Sequence, residues 1–208
     1  MEIIPSILEK SKEGLLNKIE AIRPLRLTAQ IDLADGEFVN NRTLKAADLP
    51  AELRSVSWEA HLMVKDPVTW SQSIYNLSCC RVFWHAEVLS GPAMIPRHYT
   101  KIDHGLALRL ETPVTIIDQY IPLVRSVLLL SIDKPGFQGK KFQEQVYDKI
   151  QELKHKHPGV ILTVDGGINL QHLKQLKQLG VERVAVGDSF WKYGDPKTVL
   201  AAFRQATL

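Results

Sequence analysis

Cysteine is nearly absent from this chain. Only Cys79 and Cys80 occur in 208 residues, and as direct neighbours they cannot staple distant segments. Both read as free, buried or half-buried thiols. A charge of one sign is also lacking: 26 Lys and Arg against 23 Asp and Glu leave a net charge of +3, scattered along the chain. That balance excludes a nucleic-acid footprint. Apolar runs such as Val127–Leu130 fall far short of the roughly 20 residues that a membrane helix needs. Met1–Ser6 carries neither a basic stretch nor a long apolar one, so no secretory leader is expected, and a reduced, cytoplasmic setting is. No low-complexity tract or compositional break marks a boundary, which points to one domain over residues 1–208.

Short β-branched or apolar runs do recur, each followed by an amphipathic or polar stretch. They predict strands at about 3–8, 26–33, 56–64, 81–87, 104–110, 126–132, 160–165 and 182–187. A helix is expected from Lys140 to His157, with Phe142, Val146, Ile150 and Leu153 on one face and Pro158-Gly159 as its stop. Asn169 is the expected N-cap of a helix carrying Leu173, Leu176 and Leu179. Pro67 and Pro196 open two more. Eight strands alternating with helical segments leave an open doubly wound sheet or a (β/α)₈ TIM barrel, and the even count of eight favours the barrel.

Charged and polar residues are expensive in strands buried on both faces unless they work or are paired. Here Ser6, Gln30, Asp32, His61, His85, Glu87, Arg109, Asp165 and Asp188 fall toward the C-terminal ends of the expected strands. That end of a (β/α)₈ barrel carries the active site. His155-Lys156-His157 reads instead as a solvated helix end favoured by the dipole, and Arg97-His98-Tyr99 as a surface turn or helix.

Five stretches in order, Ile4-Pro5-Ser6-Ile7-Leu8, Ile31-Asp32-Leu33-Ala34-Asp35-Gly36-Glu37-Phe38-Val39, His61-Leu62-Met63-Val64, Lys134-Pro135-Gly136-Phe137 and Val164-Asp165-Gly166-Gly167, resemble the ribulose-phosphate 3-epimerase family. The resemblance runs from the first strand to the eighth. It implies metal-dependent epimerisation at C3 of a ketose phosphate, of the ribulose 5-phosphate/xylulose 5-phosphate type, in the pentose phosphate part of carbohydrate metabolism. It also implies two aspartates that move a proton on opposite faces of the carbon. An α-proton is weakly acidic, so enediolate charge needs a Lewis acid, and inversion needs an acid/base group on each face. Asp32 and Asp165 match the two acid/base carboxylates. With His61 and Gln30 they are the expected holders of a divalent ion (Zn, Fe, Mn or Mg). Ser6, Gly136, Gly139, Gly166, Gly167, Gly187 and Asp188 are the expected substrate contacts. His85 and Glu87 match a His-x-Glu stretch of the family and are assigned a supporting role. The expected partner is a small sugar phosphate, with no nucleic acid or membrane; family members are often oligomers, so a homo-oligomer is possible on that resemblance.

The departures are specific. Gln30 stands where the family has a histidine, and an amide oxygen is a poorer ligand for zinc or ferrous ion than imidazole. Ala34 replaces a methionine and is expected to leave space above the reacting carbon. Asp188 stands in the turn expected to cradle phosphate, with Lys134, Lys140 and Lys141 available to offset its charge. The sixth loop has Gln138 where the family has a glycine. These differences keep two alternatives open: a degenerate barrel that binds a ligand or partner without turnover, and an epimerase for a different sugar lacking the phosphate.

Overall fold

A computed structural model describes residues 1–96 and 99–207, so Arg97 and His98 of the expected surface turn lie outside the described residues. Eight parallel strands form in sequence order: β1 (Glu2–Ile7), β2 (Ala29–Ala34), β3 (Trp58–Met63), β4 (Arg81–His85), β5 (Asp103–Leu108), β6 (Ser126–Leu130), β7 (Ile161–Asp165) and β8 (Arg183–Val186). Each pairs with the next, and β8 pairs with β1 to close the barrel. All eight expected strands are present, with ends shifted by up to three residues.

The helices are α1 (Lys12–Ile22), α2 (Pro67–Tyr75), α3 (Val146–Lys156), α4 (Leu173–Gln178), α5 (Asp188–Trp191) and α6 (Pro196–Ala206). Three start at side-chain caps: Ser11, Asp66 and Asp195 accept from the backbone N–H of Gly14, Thr69 and Thr198. The regular alternation of strand and helix is broken after β2, β4 and β5, where the described residues form only 3₁₀ turns. Pro50, Pro92, Pro113 and Pro122 sit in or beside those turns, each removing a backbone donor.

Two helix expectations need correction. Residues 140–145 are loop rather than the start of α3: the Gln143 N–H returns to the Ser131 carbonyl at 2.8 Å, and Phe142 stacks on the His172 ring at 4.1 Å. Asn169 does not cap α4. Its Oδ1 accepts from the Gln171 N–H at 2.9 Å, closing a turn before the helix begins at Leu173.

Inside the barrel the layers differ in character. Phe83, Ala107, Leu128 and Leu130 make an apolar plug. Gly105 makes room for it, since a Cβ there would lie 2.6 Å from the Phe83 ring. Below the plug, at the N-terminal ends of the strands, Arg81 bonds both Glu59 and Asp103 (2.7 Å to the latter). Ser126 Oγ donates to Asp103 at 2.8 Å, and Arg183 pairs with Glu2 at 3.2 Å. Outside the strands, the larger core packs Trp58, Leu62, Trp84 and Val164 against the helices. The polar site therefore sits above a filled barrel.

Burial pushes the Glu59 carboxyl up to about 7 from an ordinary value of 4.5, against the opposing pull of Arg81 and Arg183. A carboxyl raised in the folded state holds its proton more tightly there. Its contribution is thus full below pH 4.5 and is lost as pH rises through about 7. Glu59→Gln should remove that dependence. Between about pH 5 and about pH 8 the wild-type melting temperature should fall further than that of the variant, by on the order of 5 °C. Equal pH slopes in calorimetry would contradict the assignment.

Candidate functional site

Polar side chains on β1, β2, β3 and β7 converge at the floor of a cavity of about 460 Å³ above the plug. Asp32 and Asp165 face each other there, 6% and 8% exposed. Two donors bridge them, the nearer being the Gln30 amide nitrogen, 2.8 Å from Asp32 Oδ1 and 2.8 Å from Asp165 Oδ2. His61 Nδ1 lies 3.2 Å and 3.4 Å from the same two oxygens. Ser6 Oγ donates to the other Asp32 oxygen at 2.6 Å. These contacts follow from the pleat, because Gln30 and Asp32 are two apart on β2 and so point to the same, inner face.

Behind His61 a buried chain of hydrogen bonds runs outward. Its Nε2 is 3.0 Å from His85 Nε2, and His85 Nδ1 is 2.9 Å from Glu87 Oε2. Glu87 Oε1 accepts from the Arg109 N–H at 2.8 Å and from Thr112 Oγ1 at 2.5 Å. The Arg109 guanidinium lies over the Phe38 ring, 4.2 Å from its centroid, and Phe38 in turn packs on His85 at 4.5 Å. Arg109 thus braces the wall of the site.

The protonation states follow. Burial opposes charge on His61, yet its bonds to Asp165 and Asp32 push it up to about 9. Burial pushes His85 down to about 4, despite Glu87. Burial also opposes the Glu87 charge, but His85, Thr112 and the Arg109 backbone draw it down to about 2. Neutral His85 therefore donates from Nδ1 to Glu87 and accepts at Nε2 from His61. The Asp165 carboxyl is raised by burial and by the Asp32 charge, against the donors of His61 and Gln30. It holds a proton more readily than an ordinary aspartate.

The donor set fits a divalent ion. One ligand atom each from Asp32, His61 and Asp165 lie within 4.8 Å of one another. Because His61 Nε2 is turned to His85, the ring position that could bind an ion is Nδ1, which faces both carboxylates and would give up its proton as the ion binds. Gln30 lies beneath them, deeper than the strand end where the sequence pattern put it, and is fully buried.

The cavity wall carries the other expected residues. Ser6, Gly136, Gly139, Gly166, Gly167, Gly187 and Asp188 all line it, with Lys140 and Lys141 but not Lys134. Asp188 starts α5, and its Oδ1 pairs with Lys192 at 2.9 Å. Gly167 has φ +64°, and a Cβ there would sit 2.5 Å from the Phe142 nitrogen, so only glycine lets the sixth loop pack this close. Ala34 opens no space onto the cavity. It is enclosed in a cluster with Val39 and Met63, and Met63 is the one that lines the cavity. His155 and Lys156 lie in the last turn of α3, and His157 bonds Asp118 at 2.8 Å, away from the site.

Sequence reasoning missed three contacts that shape the cavity. Asn41 Nδ2 donates to the Gly136 carbonyl at 2.6 Å and ties down the sixth loop. Gln138 donates to the Ser6 carbonyl at 3.3 Å, as does Trp191 Nε1 at 2.7 Å. All three join residues about 95 or more positions apart, beyond the reach of periodicity.

Glu87→Gln should leave the barrel folded but weaken divalent-ion binding by roughly tenfold or more, because an amide cannot accept on both ends and His61 loses its support. Titration calorimetry with manganese, beside a melting curve, checks this; unchanged affinity would remove Glu87 from the site.

A sequence model described as the ribulose-phosphate 3 epimerase family matches residues 2–191. The chain is 29% identical over 208 residues to ribulose-phosphate 3-epimerase of Helicobacter pylori strain 26695, covering 96% of this chain and 95% of that protein. It is 28% identical over 219 residues to a cytoplasmic isoform from Oryza sativa subsp. japonica, covering 99% and 93%. Among solved structures, 3-hexulose-6-phosphate synthase from Salmonella typhimurium superposes with a TM-score of 0.74 at 12% identity, covering 100% of this chain and 98% of that one. At that identity the likeness speaks for the barrel fold alone. No helix among the described residues is long and apolar enough to cross a membrane.

Proposed function

The chain belongs to the ribulose-phosphate 3-epimerase family and is a carbohydrate epimerase; within that class we propose that it inverts C3 of a ketose phosphate by proton transfer between Asp32 and Asp165. The observation that carries this reading is the pairing of the two carboxylates at the cavity floor through a shared donor, Gln30 Nε2. A ketose in the cavity is addressed by both. One carboxylate takes the C3 proton, and the other, already holding a proton, returns it to the opposite face. The raised Asp165 suits the donor role in one direction, and the roles exchange in reverse. A divalent ion held by Asp32, His61 and Asp165 would supply Lewis-acid stabilisation of the enediolate charge. Ser6 holds the Asp32 carboxylate in place through its 2.6 Å bond.

At the far end of the substrate, the backbone of Gly166, Gly167 and Gly187, with Lys140 and Lys141 nearby on the cavity wall, would receive the phosphate. Asp188 favours a second reading, a ketose without that phosphate, because its carboxylate lines the cavity beside the sixth loop, about 3.7 Å from where a Cβ on Gly139 would sit. Lys192 offsets part of that charge, and Lys140 and Lys141 line the same cavity, which keeps the phosphorylated substrate first.

Asp32→Asn and Asp165→Asn should each lower turnover of ribulose 5-phosphate by about 10³-fold, since an amide neither takes nor returns the proton. Melting temperatures should stay within a few degrees of wild type. Either variant retaining a rate within tenfold would end the two-carboxylate reading. Wild-type turnover of unphosphorylated ribulose but not of its 5-phosphate would move the second reading to first place.

A further inference from the structure

Gln30 is fully buried beneath the two carboxylates, and its amide is used on one side only. Its nitrogen bonds Asp32 and Asp165, while its oxygen, Oε1, has no hydrogen-bond partner although it is buried. A buried carbonyl left unpaired is expensive, and such an atom calls for an explanation. A half-turn of the amide exchanges its two ends without moving the rest of the side chain. Because Oε1 holds no bond on the far side, the exchange breaks none there; it turns the two N–H groups to that side, a cost that the bond from Oε1 to the cation must exceed. What it changes is the group presented to Asp32 and Asp165, from N–H donor to carbonyl oxygen.

Each orientation suits one state of the site. With the carboxylates alone, the N–H end is needed between them. With a cation between the carboxylates, the N–H end would oppose it, and the oxygen end would be a ligand. We propose that Gln30 is a turnable ligand whose Oε1 biases the Asp32–His61–Asp165 site toward a hard divalent cation such as manganese or magnesium. The set then holds oxygen donors from three side chains and a single imidazole nitrogen. Carboxylate, carbonyl and water suit manganese and magnesium, whereas added imidazole favours zinc. Zinc still ranks above manganese in raw affinity at such sites, so the bias lies in the ratio of the two affinities. This inference rests on the reading that Asp32, His61 and Asp165 hold an ion.

The test strips the full-length protein with a chelator and titrates manganese and zinc separately into wild type, Gln30→His and Gln30→Leu, each checked by thermal melting. Gln30→His should raise zinc affinity by about tenfold or more and change manganese affinity by less than about threefold. Gln30→Leu should weaken manganese by about tenfold. As a readout that needs no variant, saturating wild type with magnesium should shift the Gln30 side-chain amide resonances, as its N–H groups leave their carboxylate acceptors. Equal changes for both ions in Gln30→His, wild-type manganese affinity in Gln30→Leu, or unmoved amide resonances would each overturn the assignment. Binding of neither ion by wild type would bring down the ion site itself; binding that ignores residue 30 would remove only the role of Gln30.

Discussion

Two carboxylates brought together out of water set the terms for this structure. Removing a carboxylate from water is costly, and a second charge within a few ångströms adds to that cost. The fold meets it with N–H and O–H donors: the Gln30 amide, the His61 ring and the Ser6 hydroxyl all point at Asp32, and the first two also at Asp165. His61 carries a charge here because both carboxylates face its Nδ1, while its Nε2 meets a neutral His85 whose Nδ1 is taken up by Glu87, itself held by Arg109 and Thr112. A chain of five strands, β1 to β4 and β7, is thereby committed to one pair of acids.

The rest of the barrel keeps that arrangement buried and fixed. The plug of Phe83, Ala107, Leu128 and Leu130 lies inside the strands below the site, and the ion cluster around Arg81 closes the opposite end. Above, the sixth loop is held through Asn41 and Gln138, and β1 is pinned at Ser6 by Trp191. Burial of Asp32, His61 and Asp165 at the cavity floor strengthens each electrostatic contact among them. The rim is left to polar and glycine-rich loops, which are free to define the substrate's far end.

What was legible in the sequence follows from the same physics. Asp32, His61 and Asp165 stood out because a charge inside an otherwise apolar parallel strand is hard to tolerate without a reason. The strands were legible for the complementary reason, that their apolar runs are short and regularly spaced. Residues 140–145 were not, because Phe142 falls on the helical repeat of α3 yet is buried against His172 from a loop. Ala34 suggested an opening that Val39 and Met63 fill, and neighbours in space cannot be read from the size of one side chain. The depth of Gln30 was equally hidden, since position along a strand does not give height within a closed, sheared barrel.

If Asp32 and Asp165 pass protons between C3 and solvent, the isotope found at C3 records it. The most direct measurement is the epimerisation of ribulose 5-phosphate in deuterated water, with isotope position read by nuclear magnetic resonance. Proton transfer through Asp32 and Asp165 should leave the epimerised product with one solvent deuteron at C3, and none at C1 or C4, from the earliest turnovers. Product that retains its original C3 proton, or deuterium at C1, would show a different proton path and contradict the roles given to Asp32 and Asp165.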